Sequence, residues 1–173
     1  MYDIMREIEI TADMLDRATK RSRNMGSLKN SITSGQGNVA GFLGEEVVNS
    51  ILCGIIKDTK DFDIEYNGLT YDVKTKRCTS QPLPHYECSI ASFNTRQKCD
   101  RYIFVRIEQL GQDYTRAWIL GWYDKVEYFQ YARKLKKGDR DGDNNFLVKA
   151  DCYNFPIKAL KDIKELICQK QKN

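Results

Sequence analysis

The sequence predicts a mixed α/β fold in which a central mixed sheet is flanked by helices. Two alternating runs flank Asn67-Gly68, a dipeptide that strongly favours the two-residue turn of a β-hairpin. The run 102–105 is apolar at every position, which is typical of a strand buried on both faces. Apolar residues recur at helical spacing in 39–55, upstream of the hairpin. Since 173 residues suit one hydrophobic core, residues 1–173 are expected to form a single domain.

Composition and charge exclude several classes of protein. With 41% hydrophobic residues and a net charge of +4, the chain is not expected to be disordered. No run approaches the roughly 18 apolar residues of a membrane span, and the N-terminus lacks the apolar stretch of a secretory signal. We therefore expect a cytoplasmic protein with no membrane partner. The six cysteines form no C-x-x-C pair, so we expect reduced thiols and no zinc site.

The N-terminal third is expected to hold a strand and two helices. Residues 7–10 alternate like a short edge strand, and Thr11 is a suitable N-cap for the helix that follows. The polar stretch 26–38 is rich in turn-forming residues and predicts a loop, after which a second helix is expected at 39–55. Apolar positions support both helices: Ala12, Leu15, Ala18 and Met25 in the first, and Leu43, Val47, Val48, Ile51 and Leu52 in the second.

The C-terminal half is expected to alternate between strands and helices. Val126, Phe129 and Ala132 recur about one turn apart and predict a helix, and Pro156 suits the first turn of another. The predicted strands are 86–91, 101–108, 115–122 and 146–152, the predicted helices are 124–135 and 156–168, and 139–145 is a charged loop.

The two-residue turn at Asn67-Gly68 fixes the register of the hairpin. The opposed pairs are then Tyr66 with Leu69, Asp63 with Asp72, and Asp61 with Lys74. Side chains alternate along a strand, so each strand presents one polar and one apolar face. The polar face is expected to hold Asp61, Asp63, Asp72 and Lys74, and the face toward the core Phe62, Ile64, Tyr71 and Val73.

The opposed carboxylates of Asp63 and Asp72 suggest a metal site. Two such groups directly across a hairpin repel each other, and a divalent cation reverses that effect. Hard oxygen ligands of this kind suit Mg2+, and Lys74 is placed to hold a water or to neutralise charge on a phosphate. The alternative is an ordinary solvated face, with an Asp61–Lys74 surface salt bridge worth under about 1 kcal/mol.

A third acid is available on the predicted helix 39–55. Glu45 and Glu46 follow Gly41 and Gly44 on an otherwise apolar helix, where a glutamate is easily oriented toward a neighbouring sheet. The alternative is that both glutamates lie on an exposed helix face.

Taken together, these residues resemble the PD-(D/E)XK nuclease superfamily, which has a restriction-endonuclease-like core. The matching pieces are 41–52, as the glutamate helix, 61–76, as the hairpin, and 97–105, as a helix and the following strand. No proline precedes the first hairpin acid, and aspartate replaces the commoner glutamate as the second. The resemblance implies N- and C-terminal additions to the core. It also implies these roles: Asp63 and Asp72 as the two hairpin acids, Lys74 as the lysine, Glu45 or else Glu46 as the helix acid, and Gln97 near the site.

The resemblance implies a Mg2+-dependent DNA endonuclease, with Mn2+ as a possible substitute and with 5′-phosphate products. Asp63, Asp72 and Glu45 would hold the metal, and Lys74 and the metal would activate water. The stretch 30–46 also resembles small phage-encoded nucleases, which implies the host cytoplasm as the location. The alternatives are a Holliday-junction-type resolvase, which usually acts as a homodimer, and a non-catalytic nucleic-acid-binding module on the same fold.

Basic residues suggest where DNA would lie. The segment 17–29 holds five cations and no acid, and it precedes the glutamate helix. The alternative for this segment is a solvated helix face. The candidate DNA-contacting residues are Arg21, Arg23 and Lys29 in this segment, Lys76 and Arg77 along the second hairpin strand, and Gln97.

Overall fold

The computed structural model describes residues 4–25, 36–57, 59–141 and 145–168. Within these ranges the fold is mixed α/β, as the sequence predicts. The α-helices are α1 (Ala12–Met25), α2 (Gln36–Leu52), α3 (Lys125–Tyr131) and α4 (Lys164–Cys168). The strands are β1 (Arg6–Glu9), β2 (Ile55–Ile56), β3 (Ile64–Tyr66), β4 (Leu69–Cys78), β5 (Glu87–Ala91), β6 (Arg101–Leu110), β7 (Asp113–Asp124), β8 (Arg133–Leu135) and β9 (Cys152–Pro156).

The larger sheet has the strand order β1-β7-β6-β4-β3-β2. Strands β4 and β6 pair in parallel, and the other neighbours pair antiparallel. The sheet is therefore mixed, as predicted. Parallel neighbours need a long crossover, and here the crossover carries β5 and a 3-10 turn at Ser92–Arg96. The predicted central strand is confirmed, because residues 102–105 of β6 are all buried.

Two hydrophobic clusters cover opposite faces of the larger sheet. Ile103 and Val105 of β6 join the cluster that contains Leu43 and Val47 of α2. Tyr102 and Phe104 join the other, which includes residues of α3 and of a second, three-stranded sheet with the order β5-β9-β8. Since side chains alternate along a strand, β6 contributes residues to both clusters and lies between α2 on one side and the small sheet on the other.

The hairpin has the predicted register. Tyr66 pairs with Leu69 and Ile64 pairs with Tyr71. Asn67 and Gly68 have φ values of 49° and 74°, which a type I′ turn requires at both central positions. Ile64, Tyr71 and Val73 are buried in the cluster beneath α2, as predicted.

The predicted alternation fails at the start of the hairpin. Thr59 Oγ1 accepts a hydrogen bond from the Phe62 amide and donates one to the Phe62 carbonyl, which closes a turn before β3 begins. Phe62 consequently packs against the cluster of the small sheet and not against the cluster beneath α2. Asp61 accepts a hydrogen bond from the Lys98 amide, so the prediction that it faces Lys74 is wrong.

The N-terminal elements are largely as predicted. The Met14 amide donates to Thr11 Oγ1 at 3.2 Å, which confirms the N-cap, and β1 pairs at the edge of the sheet. Met14, which the pattern omitted, is buried in place of Met25. Residues 36–38 of the predicted loop belong to α2, and its residues 26–35 lie outside the described residues.

Helix α2 ends earlier than predicted. Cys53 adopts a φ of 56°, and the Gly54 amide donates to the Asn49 side-chain oxygen at 2.9 Å. A Cβ at Gly54 would lie 2.7 Å from the Glu65 carbonyl oxygen, so glycine permits this close approach to β3. Residues 55–56 consequently form β2 instead of a last helical turn.

The C-terminal predictions are less accurate. The predicted helix 124–135 divides into α3 and β8 because Ala132 is extended, and Tyr128 is buried where Val126 is 80% exposed. The last strand is β9, at Cys152–Pro156, and it lies later in the chain than the predicted strand 146–152. Two backbone hydrogen bonds join Trp122 and Lys161 and keep the chain around Lys161 extended. The predicted helix 156–168 is therefore replaced by a 3-10 turn at Ile157–Ala159 and the short helix α4. Residues 97–100, expected to end a helix, are not helical, and 142–144 of the charged loop lie outside the described residues.

Two further observations concern the class of protein. No helix among the described residues is long and apolar enough to cross a membrane. The five cysteines whose side chains are described, Cys53, Cys78, Cys88, Cys99 and Cys152, are all free thiols.

Candidate functional site

Asp63 lies at the entrance to the hairpin, one residue before β3, and its side chain reaches β4. Its amide donates to the Tyr71 carbonyl at 2.9 Å, although Tyr71 is the partner of Ile64, so the regular register ends at Ile64 and the predicted pairing of Asp63 directly opposite Asp72 is not kept. Its Oδ2 accepts a hydrogen bond from the Val73 amide at 2.7 Å, so the carboxylate is held across the two strands. Of the two aspartates predicted on the polar face before the turn, Asp63 contacts β4, whereas Asp61 contacts the Lys98 amide.

Glu45 reaches this site from α2 because the helix packs closely on β4. A Cβ at Gly44 would lie 1.9 Å from Thr75 Oγ1, so only glycine fits at this crossing without displacement. The next residue, Glu45, is 7% exposed, and its carboxyl group lies against that of Asp63. The helix and the hairpin thus place the predicted acids of both elements in one site.

The electrostatics of the site favour a shared proton. Burial, and then the negative charge of Asp63, raise the pKa of Glu45 to about 8, although Arg21 opposes this rise. Burial, and then the charge of Asp72, raise the pKa of Asp63 to about 6, while the Val73 amide and Lys74 act in the opposite sense. Burial and the neighbouring charges therefore favour a proton held between Glu45 and Asp63 at neutral pH.

Helix α1 supplies basic partners to the acids of α2. Arg21 Nη2 lies 2.5 Å from Glu45 Oε2, and its guanidinium carbon lies 4.3 Å from the centre of the Phe42 ring. Glu46 is paired mainly with Arg17, at 2.7 Å. Of the two glutamates that the sequence left open, Glu45 is the one that contacts Asp63.

Asp72, Lys74 and Gln97 form a triangle beside the two other acids. Asp72 is 5% exposed, and its Oδ2 lies 2.7 Å from Lys74 Nζ. Gln97 Nε2 donates to Asp72 Oδ1 at 2.9 Å, and Lys74 Nζ donates to Gln97 Oε1 at 3.0 Å. The Lys74 ammonium also lies 5.6 Å from the centre of the Tyr102 ring. Lys74 is therefore held in one orientation by three different groups.

The donor set has the chemistry that Mg2+ prefers. Glu45, Asp63 and Asp72 provide hard carboxyl oxygens, and the fold holds Asp63 close to both of the others. Asp72 Oδ2 is buried and lies 2.7 Å from the Lys74 ammonium, and its second lone pair leaves it acceptor capacity beyond that contact. In the described ranges, no three His, Cys, Asp or Glu side chains lie close enough together to hold a metal ion. The carboxyl groups suit Mg2+ by the chemistry of their oxygens.

The candidate DNA-contacting residues lie in different places. Arg21 faces Glu45, whereas Arg23 is exposed near the end of α1. Lys76 and Arg77 are exposed toward the end of β4, where Arg77 Nη1 donates to Gln109 Oε1 at 3.2 Å. Gln97 is in the site itself, and Lys29 lies outside the described residues.

Sequence reasoning missed two features of the site. Arg21 was assigned to DNA, although it pairs with Glu45; its spacing of four residues from Arg17, which meets Glu46, is the available signal. Tyr102 was assigned only to a buried strand, although its ring supports Lys74. Its position opposite Asp72 in the parallel pair of β4 and β6 is a tertiary feature with no local signal.

Comparison with known proteins adds no relative. No model of a known protein family matches the chain, and no curated protein matches it.

Proposed function

We propose that this protein is a Mg2+-dependent endonuclease that hydrolyses phosphodiester bonds in DNA. The observation that carries the proposal is the meeting of Glu45, Asp63 and Asp72 beside the ammonium of Lys74. The resemblance of 41–52 and 61–76 to the PD-(D/E)XK superfamily supports it, because that resemblance rests on these same four residues.

The carboxylates are the residues that would hold the metal. Bound Mg2+ supplies positive charge to the scissile phosphate and lowers the pKa of a water. Glu45 must lose the proton that it shares with Asp63 for all three carboxylates to serve as anionic ligands. Because Mn2+ accepts the same oxygen ligands, it is expected to substitute.

Lys74 has a separate role in the proposed reaction. Its ammonium can donate a hydrogen bond to the attacking water and neutralise charge that develops on the phosphate. Asp72 and Gln97 fix its position from two sides, so the charge requires little reorganisation before reaction. Gln97 is a positioning residue, since it contacts Lys74 and Asp72 directly.

A second candidate, a non-catalytic nucleic-acid-binding module, is favoured by one observation. Arg21 and Lys74 already partner Glu45 and Asp72, so the acids are compensated in part without a metal. Such a module would bind DNA and leave it intact in Mg2+.

Incubation of plasmid, single-stranded DNA, a four-way junction and RNA with the protein in Mg2+ tests the proposal. Wild type is expected to cleave DNA, and Asp72→Asn is expected to remove cleavage while the protein stays folded by circular dichroism. Preference for the junction would identify a resolvase. The matched control is Asp61→Asn, an aspartate in the turn before β3 whose replacement keeps the oxygen that accepts from the Lys98 amide. Binding of DNA without cleavage by wild type would instead identify the second candidate.

A further inference from the structure

A cleft of about 870 Å³ opens beside the candidate site, between the C-terminal end of β4 and the small sheet. Lys76 and Arg106 both line it. Alternate residues of a strand share a face and lie about 7 Å apart, so Asp72, Lys74 and Lys76 form a row that leads from the site into the cleft. The cleft therefore continues the surface on which a scissile phosphate would lie.

Lys76 and Arg106 form a pair of like charges. They are direct partners in the parallel pairing of β4 and β6, so their side chains leave the same face of the sheet as neighbours. Arg106 is only 7% exposed, whereas Lys76 is accessible from the cleft. Two adjacent cations on a partly desolvated surface repel each other and gain nothing for the fold by themselves.

No carboxylate of the described residues compensates this pair. Arg106 Nη2 donates to the Glu87 carbonyl oxygen at 2.9 Å, which satisfies a hydrogen bond without neutralising the charge. The two acids that line the cleft, Glu87 and Asp141, are both engaged by Arg133, at 2.8 Å and 3.1 Å. Burial and then the charge of Arg106 lower the pKa of Lys76, and burial lowers the pKa of Arg106. The cleft thus presents uncompensated positive charge.

We propose that Lys76 and Arg106 form a phosphate-binding subsite that holds a phosphate of the DNA strand next to the one at Lys74. An arginine guanidinium and a lysine ammonium on one face can donate several hydrogen bonds to a single phosphate group. A phosphate anion also offsets the repulsion between the two cations. The assignment of the bound phosphate to a DNA strand rests on the proposed function. The affinity of Lys76 and Arg106 for a phosphate anion does not.

The first test uses inorganic phosphate, which needs no nuclease activity. The thermal midpoint of unfolding is measured in phosphate and in sodium chloride at equal ionic strength, for wild type, Lys76→Met and Lys76→Arg. Lys164→Met, at an exposed position of α4, is the matched control, because it also removes one lysine charge. Comparison between variants in the same phosphate buffer removes the general stabilisation that phosphate gives to any protein.

Wild type, Lys76→Arg and Lys164→Met are expected to gain thermal stability in phosphate beyond the chloride control. Lys76→Met is expected to lose that extra gain, yet to be at least as stable as wild type in chloride, because the repulsion with Arg106 is gone. An equal phosphate effect in Lys76→Met and wild type would overturn the proposal, as would the absence of any effect in wild type.

The second test connects the subsite with DNA. Binding of a fluorescent duplex is measured by anisotropy over a range of salt in a chelating buffer, where no cleavage occurs. Loss of one phosphate contact in Lys76→Met is expected to reduce the slope of log affinity against log salt by about 0.9, with no change in Lys164→Met. An unchanged slope would exclude DNA from the subsite. A phosphate effect together with no cleavage in Mg2+ would refute the nuclease and retain the subsite.

Discussion

Glu45 on α2 lies against Asp63 at the start of the hairpin, and burial raises the pKa of both, so two acids from different elements meet as a proton-sharing pair. This contact depends on the glycine that precedes Glu45, because the helix crosses β4 at Gly44 with Thr75 directly beneath. The pair is therefore a property of helix packing as well as of the hairpin, and it makes the site sensitive to both.

The close crossing predicts a large effect of Gly44→Ala. The added Cβ would lie 1.9 Å from Thr75 Oγ1, so α2 must move away from β4 and carry Glu45 away from Asp63. We expect a loss of about 1–3 kcal/mol in the free energy of unfolding, as for other overpacked sites, together with a loss of nuclease activity. Urea denaturation and a cleavage assay measure the two effects.

Gly41→Ala is the matched control, because a Cβ there meets nothing within 4 Å. In the helix it should stabilise the protein by up to about 1 kcal/mol. Equal stability losses in the two variants would contradict the proposed role of the crossing.

The raised pKa values predict that the metal-free protein loses stability as pH rises. The pKa of Glu45 rises from its ordinary value of 4.5 to about 8 in the folded protein. The pKa of Asp63 rises from 3.8 to about 6. Between these limits the folded state binds more protons than the unfolded state, so the free energy of unfolding falls from about pH 4 to pH 8. Urea denaturation in a chelating buffer from pH 5 to pH 9 should give this decline.

Glu45→Gln keeps a hydrogen-bond donor to Asp63 but cannot ionise. The decline between pH 6 and pH 8 should therefore flatten in this variant. A flat profile in wild type, or a rise in stability with pH, would contradict the proton-sharing pair.

Arg21 is predicted to tune the protonation of the site. Its guanidinium opposes the rise in the pKa of Glu45, so Arg21→Gln should raise that pKa further. The pH at which cleavage reaches half its maximum rate should then move upward by about one unit or more. Arg17→Gln, which removes the partner of Glu46, should leave the pH profile in place. Equal shifts in both variants would indicate a general effect of charge on α1.

Gln97 is predicted to position Lys74 without stabilising the fold greatly. Gln97→Ala removes the hydrogen bonds to Asp72 and Lys74 but leaves the ion pair between them. We expect a roughly tenfold or greater fall in kcat with a small change in KM, and a loss of unfolding free energy of about 1 kcal/mol. Gln130→Ala, at an exposed position of α3, is the control. A change confined to KM would assign Gln97 to DNA binding instead.

The hairpin could be predicted from sequence because its determinants are local. Asn67 and Gly68 select the turn, and the turn fixes the register as far as Ile64 opposite Tyr71, which places Asp63 close enough to Asp72 for the two charges to interact. The same reasoning failed for Asp61, because a turn closed by Thr59 ends the alternation before that residue. Side-chain alternation holds only as far as the ladder continues.

Other parts of the site depend on tertiary packing and had no local signal. The pairing of Arg21 with Glu45 requires the docking of α1 on α2, which the basic pattern of 17–29 did not indicate. Arg106 lies within an apolar run, and its meeting with Lys76 follows from the parallel pairing of β4 and β6. The split of 124–135 into α3 and β8 likewise follows from pairing with β9, which overrides the helical spacing of its apolar residues.

The most direct test of the central claim is the single-turnover rate of cleavage of a labelled DNA duplex by wild type and Lys74→Met in saturating Mg2+. The account predicts cleavage by wild type that stops in EDTA, and a fall of at least about a hundredfold in Lys74→Met. Undiminished cleavage by Lys74→Met, or cleavage by wild type that persists in EDTA, would contradict it.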